Sequence, residues 1–469
     1  MTAATPRTLA RRLAPLQVAM AMQGLILWVP VEKLFMSEIG FTPASVGVMA
    51  AAYAAVVPLL EVPSGVLADR WSRNRIMVLA CVALLASTVI GGLSRNVATY
   101  VVAAMVLGAY FALSSGTVDS VVYDTVLEET GSSELYEKWI GRVRMVESGA
   151  FVVSALAGGA LAEATSARAT YFATLPFAAA AIVAFLRFDE PRLHQASDVT
   201  SLRSHVALTL RTITRRRDVL RVLLLSALVA MLSQAVFEFG PLWLVVLAAP
   251  AILFGPYWAA LMATLGVGGY LAAKVDLSRT RVALAVAVLA PATTATLALS
   301  LSLAAVVVAQ TVLALLLAVV AISAGKLLHD AVPSTIRAGV SSGAGTASWL
   351  LFLPLSLALG WLGRAHGVPQ TGWVLTGAAA LVGALLVVST RLARPAPTEP
   401  DDAVPPADLA CQELVELVTD LLDGVLPPGW RDSAEAHLAD CDGCTEYVRQ
   451  IRTTVAALGA LPTQPVPSD

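Results

Sequence analysis

Four soft ligands stand near the end of the chain in the spacing C-x25-H-x3-C-x2-C, at Cys411, His437, Cys441 and Cys444. On a helix, positions 437, 441 and 444 are i, i+4 and i+7 and share one face, so Cys411 arriving from a preceding helix would close a tetrahedron. Thiolate and imidazole in that combination suit zinc. Residues 408–461 are too few for a self-sufficient core, whereas structural zinc supplies about 10–16 kcal/mol in finger peptides.

A second group of reactive side chains lies where charge is expensive. Glu61, Asp119 and Glu238 fall inside long apolar runs, and ionisable groups in such runs are candidates for proton or substrate handling. A carboxylate in these surroundings resists ionisation, which lets it load and release a proton near neutral pH. Glu32, Glu147 and Glu163 read as charges at helix ends, and His194, His205, His329 and His366 each stand alone near a membrane edge. No G-x-x-x-x-G-K-[ST] occurs, so ATP hydrolysis is not expected, and no nucleophile and base constellation marks an enzyme.

The elements that must position these groups are membrane spans. The chain has 469 residues, 57% hydrophobic and only 14% charged, with net charge -2 and mean hydropathy +0.75; a soluble domain carries roughly 25% charged residues. At about 20 apolar residues per crossing, spans are expected near 13–36, 43–66, 74–94, 97–122, 143–163 and 168–188. After a polar stretch, six more fit near 219–247, 251–274, 280–301, 303–328, 334–363 and 369–391. The arginines at Arg7, Arg11 and Arg12 precede an apolar run that reads as a retained first helix. Of the Lys and Arg up to Arg394, Lys33, Arg95, Arg168 and Arg364 fall on one side and the other twenty-four on the opposite side. The positive-inside rule makes the second side cytoplasmic, with both termini on it, in a multi-pass protein of the plasma membrane. Cys81, alone in an apolar run, gives no sign of a secreted disulfide framework.

The domain order expected is therefore a six-helix bundle over 1–190, a linker over 191–218, a second six-helix bundle over 219–394, a Pro-rich spacer over 395–407, the metal domain over 408–461 and a disordered tail over 462–469. In the linker, Leu202, Val206, Leu210 and Ile213 recur at helical spacing opposite Arg203 and Arg211, the pattern of a helix lying in the membrane interface.

Between spans two and three runs GVLADRWSRNR, Gly65 to Arg75. It resembles the signature loop of the major facilitator superfamily: Gly65, Leu67, Ala68, Asp69, Arg70 and Arg73 match, while Ser72 and Asn74 depart from it. Over residues 13–391 the resemblance implies an all-α membrane fold of twelve transmembrane helices in two six-helix halves. It implies that Asp69 caps helix eleven near Pro333 and Ser334 and that Arg73 pairs with Asp124, latching the inner side in the outward-open state. It also implies that helices four and seven line a central cavity, which singles out Asp119 and Glu238. GYLAAKVDLSRTR, Gly269 to Arg281, is a degenerate second copy with Ala273 in the acid's place. The small-residue stretch Ser154 to Gly159 resembles that of drug antiporters and favours export. Trp28, Trp243, Trp258, Trp349 and Trp361 are candidates for a cavity lining or for interfacial anchors.

The text around the four ligands is similar to the zinc-finger domain of zinc-binding anti-sigma factors, with all four ligand positions matched. That implies a small helical zinc-binding domain in the cytoplasm whose partner is a sigma factor or another cytoplasmic protein; a zinc-stapled tail without a partner is the plainer alternative. Two functions follow. One is a proton-coupled secondary transporter exporting a small organic solute through the lipid bilayer, with a cytoplasmic zinc-binding regulatory domain. The other is a membrane-tethered, zinc-dependent, redox-responsive regulator that binds a sigma factor. Neither involves direct contact with nucleic acid.

Overall fold

The computed structural model describes residues 6–70, 72–114, 117–130, 135–191, 217–272, 274–330, 337–392, 409, 411–424, 426 and 428–459, with the side chains of 6–8, 62–70, 217–218, 329–330, 337–339, 391–392, 412–413, 416, 428 and 457–459 left aside. The expected interfacial helix of the linker, the Pro-rich spacer, the tail, Ala273, Pro333 and Ser334 lie outside the described residues, as do the side chains of Asp69 and Arg70. Among the described residues every regular element is helical, and twelve helices are long and apolar enough to cross a membrane. The chain divides into two units, Met1–Ala393 and Arg394–Asp469.

The first half of the membrane unit comprises α1 (Pro6–Gly24), α2 (Glu32–Glu38), α3 (Pro43–Arg70), α4 (Arg73–Leu93), α5 (Val97–Ser114), α6 (Thr117–Thr130), α7 (Tyr136–Ala164) and α8 (Ala167–Leu186). The second comprises α9 (Arg217–Val246), α10 (Ala251–Ala272), α11 (Thr280–Leu299), α12 (Leu303–Asp330), α13 (Arg337–His366) and α14 (Thr371–Leu392).

The first crossing departs from the continuous span expected over 13–36. It breaks after Gly24, passes through a 3-10 turn at Val29–Val31 and resumes as α2. Pro30 lacks the N–H that an unbroken helix needs there. Gly158 of α7 allows the freed segment to approach, since a Cβ on Gly158 would collide with the Leu27 carbonyl oxygen. The Leu27 N–H released by the break donates to Thr174 Oγ1 at 3.0 Å. Irregular backbone at membrane depth persists where protein satisfies it in this way.

Two tight crossings join the halves at the end remote from the Gly65–Arg75 loop. Added Cβ atoms on Gly47 of α3 and on Gly360 of α13 would each come within 2.9 Å of the opposite Cα. A Cβ on Gly159 of α7 would lie 2.8 Å from the Gly255 nitrogen of α10. Small residues let helices meet this closely in lipid, where packing substitutes for the hydrophobic effect. At this end both halves contribute to one buried core, from Phe35, Met49 and Tyr171 to Trp243, Phe254 and Phe352. At the charged-loop end there are separate cores. Leu9, Leu13, Val122 and Val143 belong to a cluster drawn wholly from the first half, and Val219, Leu223, Leu328 and Val340 to one drawn wholly from the second. Among the described residues, the tight contacts between the halves are thus gathered at the remote end.

In the second unit, α15 (Cys411–Asp423), α16 (Pro428–Asp440) and α17 (Asp442–Gly459) pack on one another. Their core is Leu414, Val418, Ala434, Cys444 and Val448 with Trp430 and Leu438 alongside.

Candidate transport cavity and metal centre

Between the halves lies a cavity of about 280 Å³. Its wall is largely aromatic and apolar, with Trp28, Tyr53, Phe237 and Trp258 among its members, and two carboxylates, Glu32 and Glu238, complete it. The break in the first crossing produces this arrangement, because α2 restarts with Glu32 pointing to the centre of the molecule. Lys33, only 2% exposed, sits behind the wall. Its ammonium bonds Glu32 at 2.8 Å and Glu238 of α9, so one cation holds two carboxylates across the two halves. Glu32 also accepts the Tyr100 hydroxyl at 2.9 Å, itself bonded to the Tyr171 hydroxyl at 2.6 Å. A second bridge between the halves runs beside it, Gln234 donating to the Tyr53 hydroxyl.

The sequence reading singled out Glu238 but not its neighbours. Glu32 does stand at a helix end, as the first residue of α2, but it faces the cavity, and Lys33, counted on the outer side, is buried; both placements follow from the broken crossing. Their signal was present as Gly24, Pro30 and the adjacent Glu32-Lys33 pair inside an apolar run. Asp119, by contrast, is 43% exposed and pairs with Arg144 of α7 at 2.7 Å. Arg144 also bonds Glu147 at 3.1 Å. Glu147 precedes Phe151, a wall residue of the cavity, by one helical turn, so this charged group lies on the α7 face that runs from the cavity to the charged-loop end. Glu61 is half-buried on α3, two turns from the wall residue Tyr53. Trp28 and Trp258 line the cavity, Trp243 is buried with its N–H on the Leu297 carbonyl at 3.0 Å, Trp349 packs edge-on against Tyr53, and Trp361 is exposed.

At the loop itself, Arg73 forms an ion pair with Asp124 of α6. Asp124 is buried, and the Arg73 backbone N–H donates to Glu190 at 2.7 Å, so the start of α4 is tied to α6 and to the end of the first half. Gly65, Asp69 and Arg70 belong to the last turns of α3.

In the second unit the ligand atoms of Cys411, His437, Cys441 and Cys444 all lie within 4.8 Å of one another. The Cys411 and Cys441 sulfurs are 3.9 Å apart, and His437 Nε2 is 3.3 Å from the Cys444 sulfur. A tetrahedral ion with bonds of about 2.0–2.3 Å places its ligands roughly 3.3–3.8 Å apart, so the donor set and its spacing fit a metal ion. The three C-terminal ligands do not share one continuous helix as expected. α16 ends at Asp440 and α17 starts at Asp442, placing Cys441 at a corner that Thr445 Oγ1 straps to the Leu438 carbonyl at 2.6 Å. The Cys444 backbone N–H, with that of Gly443, holds the Cys441 thiol below its usual range, whereas desolvation pushes Cys444 up to about 12.

The sequence matches the Major Facilitator Superfamily over residues 13–316 and the family described as "Putative zinc-finger" over residues 411–445. None of the curated proteins matches it. Among solved structures, it is similar to the nucleoside transporter NupG, with 12% identity, TM-score 0.64, 80% of this chain and 98% of that chain covered. It is similar also to a bacterial homolog of the human lysosomal transporter Spinster, with 16% identity, TM-score 0.62 and coverage of 82% and 95%. The xylose transporter XylE from E. coli gives 11% identity, TM-score 0.61 and coverage of 81% and 95%. At these identities the likeness is one of fold.

Proposed function

The chain belongs to the major facilitator superfamily, and on that premise we propose that it is a proton-coupled secondary transporter that exports a small organic solute across the plasma membrane, with a zinc-binding regulatory domain on the cytoplasmic side. The observation that carries the reading is the shared cation: Lys33 of the first half binds Glu238 of the second at the wall of the central cavity. Two carboxylates and one ammonium leave an excess negative charge in a place shielded from water, where net charge is costly. A proton on Glu238 removes that excess and frees Lys33 from the opposite half. The groups facing Glu238 are Glu32 and Lys33 of α2 and Tyr53 of α3, so protonation there acts directly on a contact that closes the remote end.

The positive-inside count supports a cytoplasmic charged-loop end. Lys33 drops out of that count, leaving Arg95, Arg168 and Arg364 on the outer side, which strengthens the bias. Export is favoured by the likeness of Ser154 to Gly159 to the small-residue stretch of drug antiporters. No enzymatic chemistry is assigned. The experiment is solute flux in proteoliposomes under an imposed pH gradient. Glu238→Gln should abolish the dependence of flux on the gradient; a variant that follows the gradient as the native protein does overturns coupling through this site.

A second reading rests on the four-ligand cluster. In it the membrane unit senses a ligand and the zinc domain holds a sigma factor, released when thiol oxidation expels the metal. It predicts no solute flux and a zinc-dependent complex with a sigma factor, so the flux assay separates the two.

A further inference from the structure

The cavity's charge and its lining narrow the class of solute. Glu32 and Glu238 both face the cavity, while among the described residues no Lys, Arg or His lines it. Lys33 contributes its positive charge from behind the wall, buried and committed to both carboxylates. One negative charge is therefore left over at the cavity surface, with no protein cation in reach of the lumen to answer it. The approach repeats the pattern: Asp119, Arg144 and Glu147 also sum to one excess negative charge, on the α7 face that leads to Phe151 of the wall.

The remainder of the wall is aromatic and aliphatic, with Gln234 as its one amide. Phe237 and Trp258 stack with centroids 6.0 Å apart, and Trp28 and Tyr53 stand on the first-half side. Aromatic faces attract cations through their quadrupole, the more so where water is excluded, and they accept an apolar body equally well. An anion would meet two carboxylates here, with no protein cation among the described lining residues to offset them. A volume of about 280 Å³ lies at the small end of the roughly 300–1,000 Å³ typical of ligand pockets.

We infer that the cavity binds a small monovalent organic cation, an ammonium or similar group carried on an aromatic or aliphatic body, with Glu32 and Glu238 as its counter-charges and Lys33 as the built-in cation it competes with. The inference rests on the transporter reading for the meaning of the cavity, but not for the binding itself. Its distinctive consequence concerns Lys33. Neutralising either carboxylate balances the cluster and should weaken cation binding, whereas removing Lys33 leaves two negative charges and should strengthen it.

The test is equilibrium binding to the purified full-length protein, using benzyltrimethylammonium, its neutral isostere neopentylbenzene and the anion phenylacetate. The expected order is cation above neutral isostere, with phenylacetate not binding. Glu32→Gln and Glu238→Gln should each weaken the cation by about ten- to a hundredfold, as loss of the Coulomb attraction of one charge roughly 6 Å away at an effective dielectric of about 20–40 implies, and leave neopentylbenzene within roughly twofold. Lys33→Met should tighten the cation and not the isostere. Since a buried triad tolerates substitution poorly, thermal unfolding of each variant is measured in parallel. Arg144→Gln, at the partly exposed approach, supplies a variant outside the triad, expected to raise the cation's association rate and not that of the isostere. Equal binding of cation and isostere, preferential binding of phenylacetate, or an unchanged cation affinity in both Gln variants overturns the inference. Gradient-driven flux of a neutral or anionic solute by a protein that does not bind the cation keeps the transporter reading and removes the inference; tight cation binding without flux of any solute does the reverse.

Discussion

The Glu163 carboxylate at the end of α7 accepts the backbone N–H of Ile252, in the first turn of α10, across 3.2 Å. The bond crosses from one half to the other, beside the Gly159 and Gly255 crossing, and sets a negative charge on a helix N-terminus. A charge so placed is worth about 0.3–1 kcal/mol. It belongs to the same class of contact that the superfamily resemblance implies for Asp69 and helix eleven, at the opposite end of the molecule. A charge on a helix start at either end would give each closed state its own fastening.

Glu163→Gln should therefore favour opening at the remote end by roughly two- to fivefold, the equilibrium equivalent of that charge–dipole energy. Distances between spin labels at Asn96 and Ser302, at the remote ends of the two halves, report the change. A bulkier intervention has a larger effect. A side chain on Gly360 would meet the Pro43 carbonyl oxygen and the Gly47 Cα, each at 2.9 Å, so Gly360→Leu should keep the remote end from closing. Unaltered label distances in Gly360→Leu would show that the crossing does not set the closed state.

The broken first crossing depends on Thr174. Its hydroxyl, buried at 1% exposure, accepts the Leu27 N–H and donates to the Thr170 carbonyl at 2.8 Å. Thr174→Val keeps the shape and leaves the Leu27 N–H without its acceptor, at a cost of about 1–3 kcal/mol. A lowered unfolding midpoint followed by tryptophan fluorescence, restored in Thr174→Ser, is the expected outcome. Equal midpoints in native and Val forms would mean that the break is held by packing alone.

How much of this was readable beforehand divides along a physical line. Spans announce themselves by length and apolarity, which is why twelve crossings and the two halves follow from composition. The ligand spacing at Cys411, His437, Cys441 and Cys444 is a local pattern, and local patterns survive in sequence. The cavity is different. That Glu32 and Lys33 meet Glu238 depends on where a break falls inside an apolar run and on contacts more than 200 residues apart, and neither leaves a periodic trace. Asp119 and Glu238 looked alike as isolated carboxylates; Arg144 and Lys33 give them unlike surroundings.

Arg73 and Asp124 offer a measurable coupling at the charged loop. The pair fastens the start of α4 to α6 within the first half, and Asp124 is the more buried partner. Arg73→Gln and Asp124→Asn should each destabilise the protein, and the double variant should fall short of their sum by about 0.5–3 kcal/mol, the range for contacting residues. Strictly additive effects would leave the pair as a marker of topology. Asp69→Asn tests the latch itself, and should shift the population toward the state open at the charged-loop end.

The second unit should fold on its metal. Its core holds few residues, and Cys444 is one of them, so the ligand set and the core cannot be separated. One zinc per chain is expected by atomic emission, and loss of it in Cys444→Ser or His437→Ala. Stripping the metal with a chelator from the full-length protein should bring fast hydrogen exchange to 411–459, because such small domains unfold without zinc. The exchange of α3 and α13 should stay as it was, since they belong to the other unit. Retained protection over 411–459 after complete metal removal would assign the fold to the Leu414, Val418 and Trp430 core alone and leave the four ligands without a structural role.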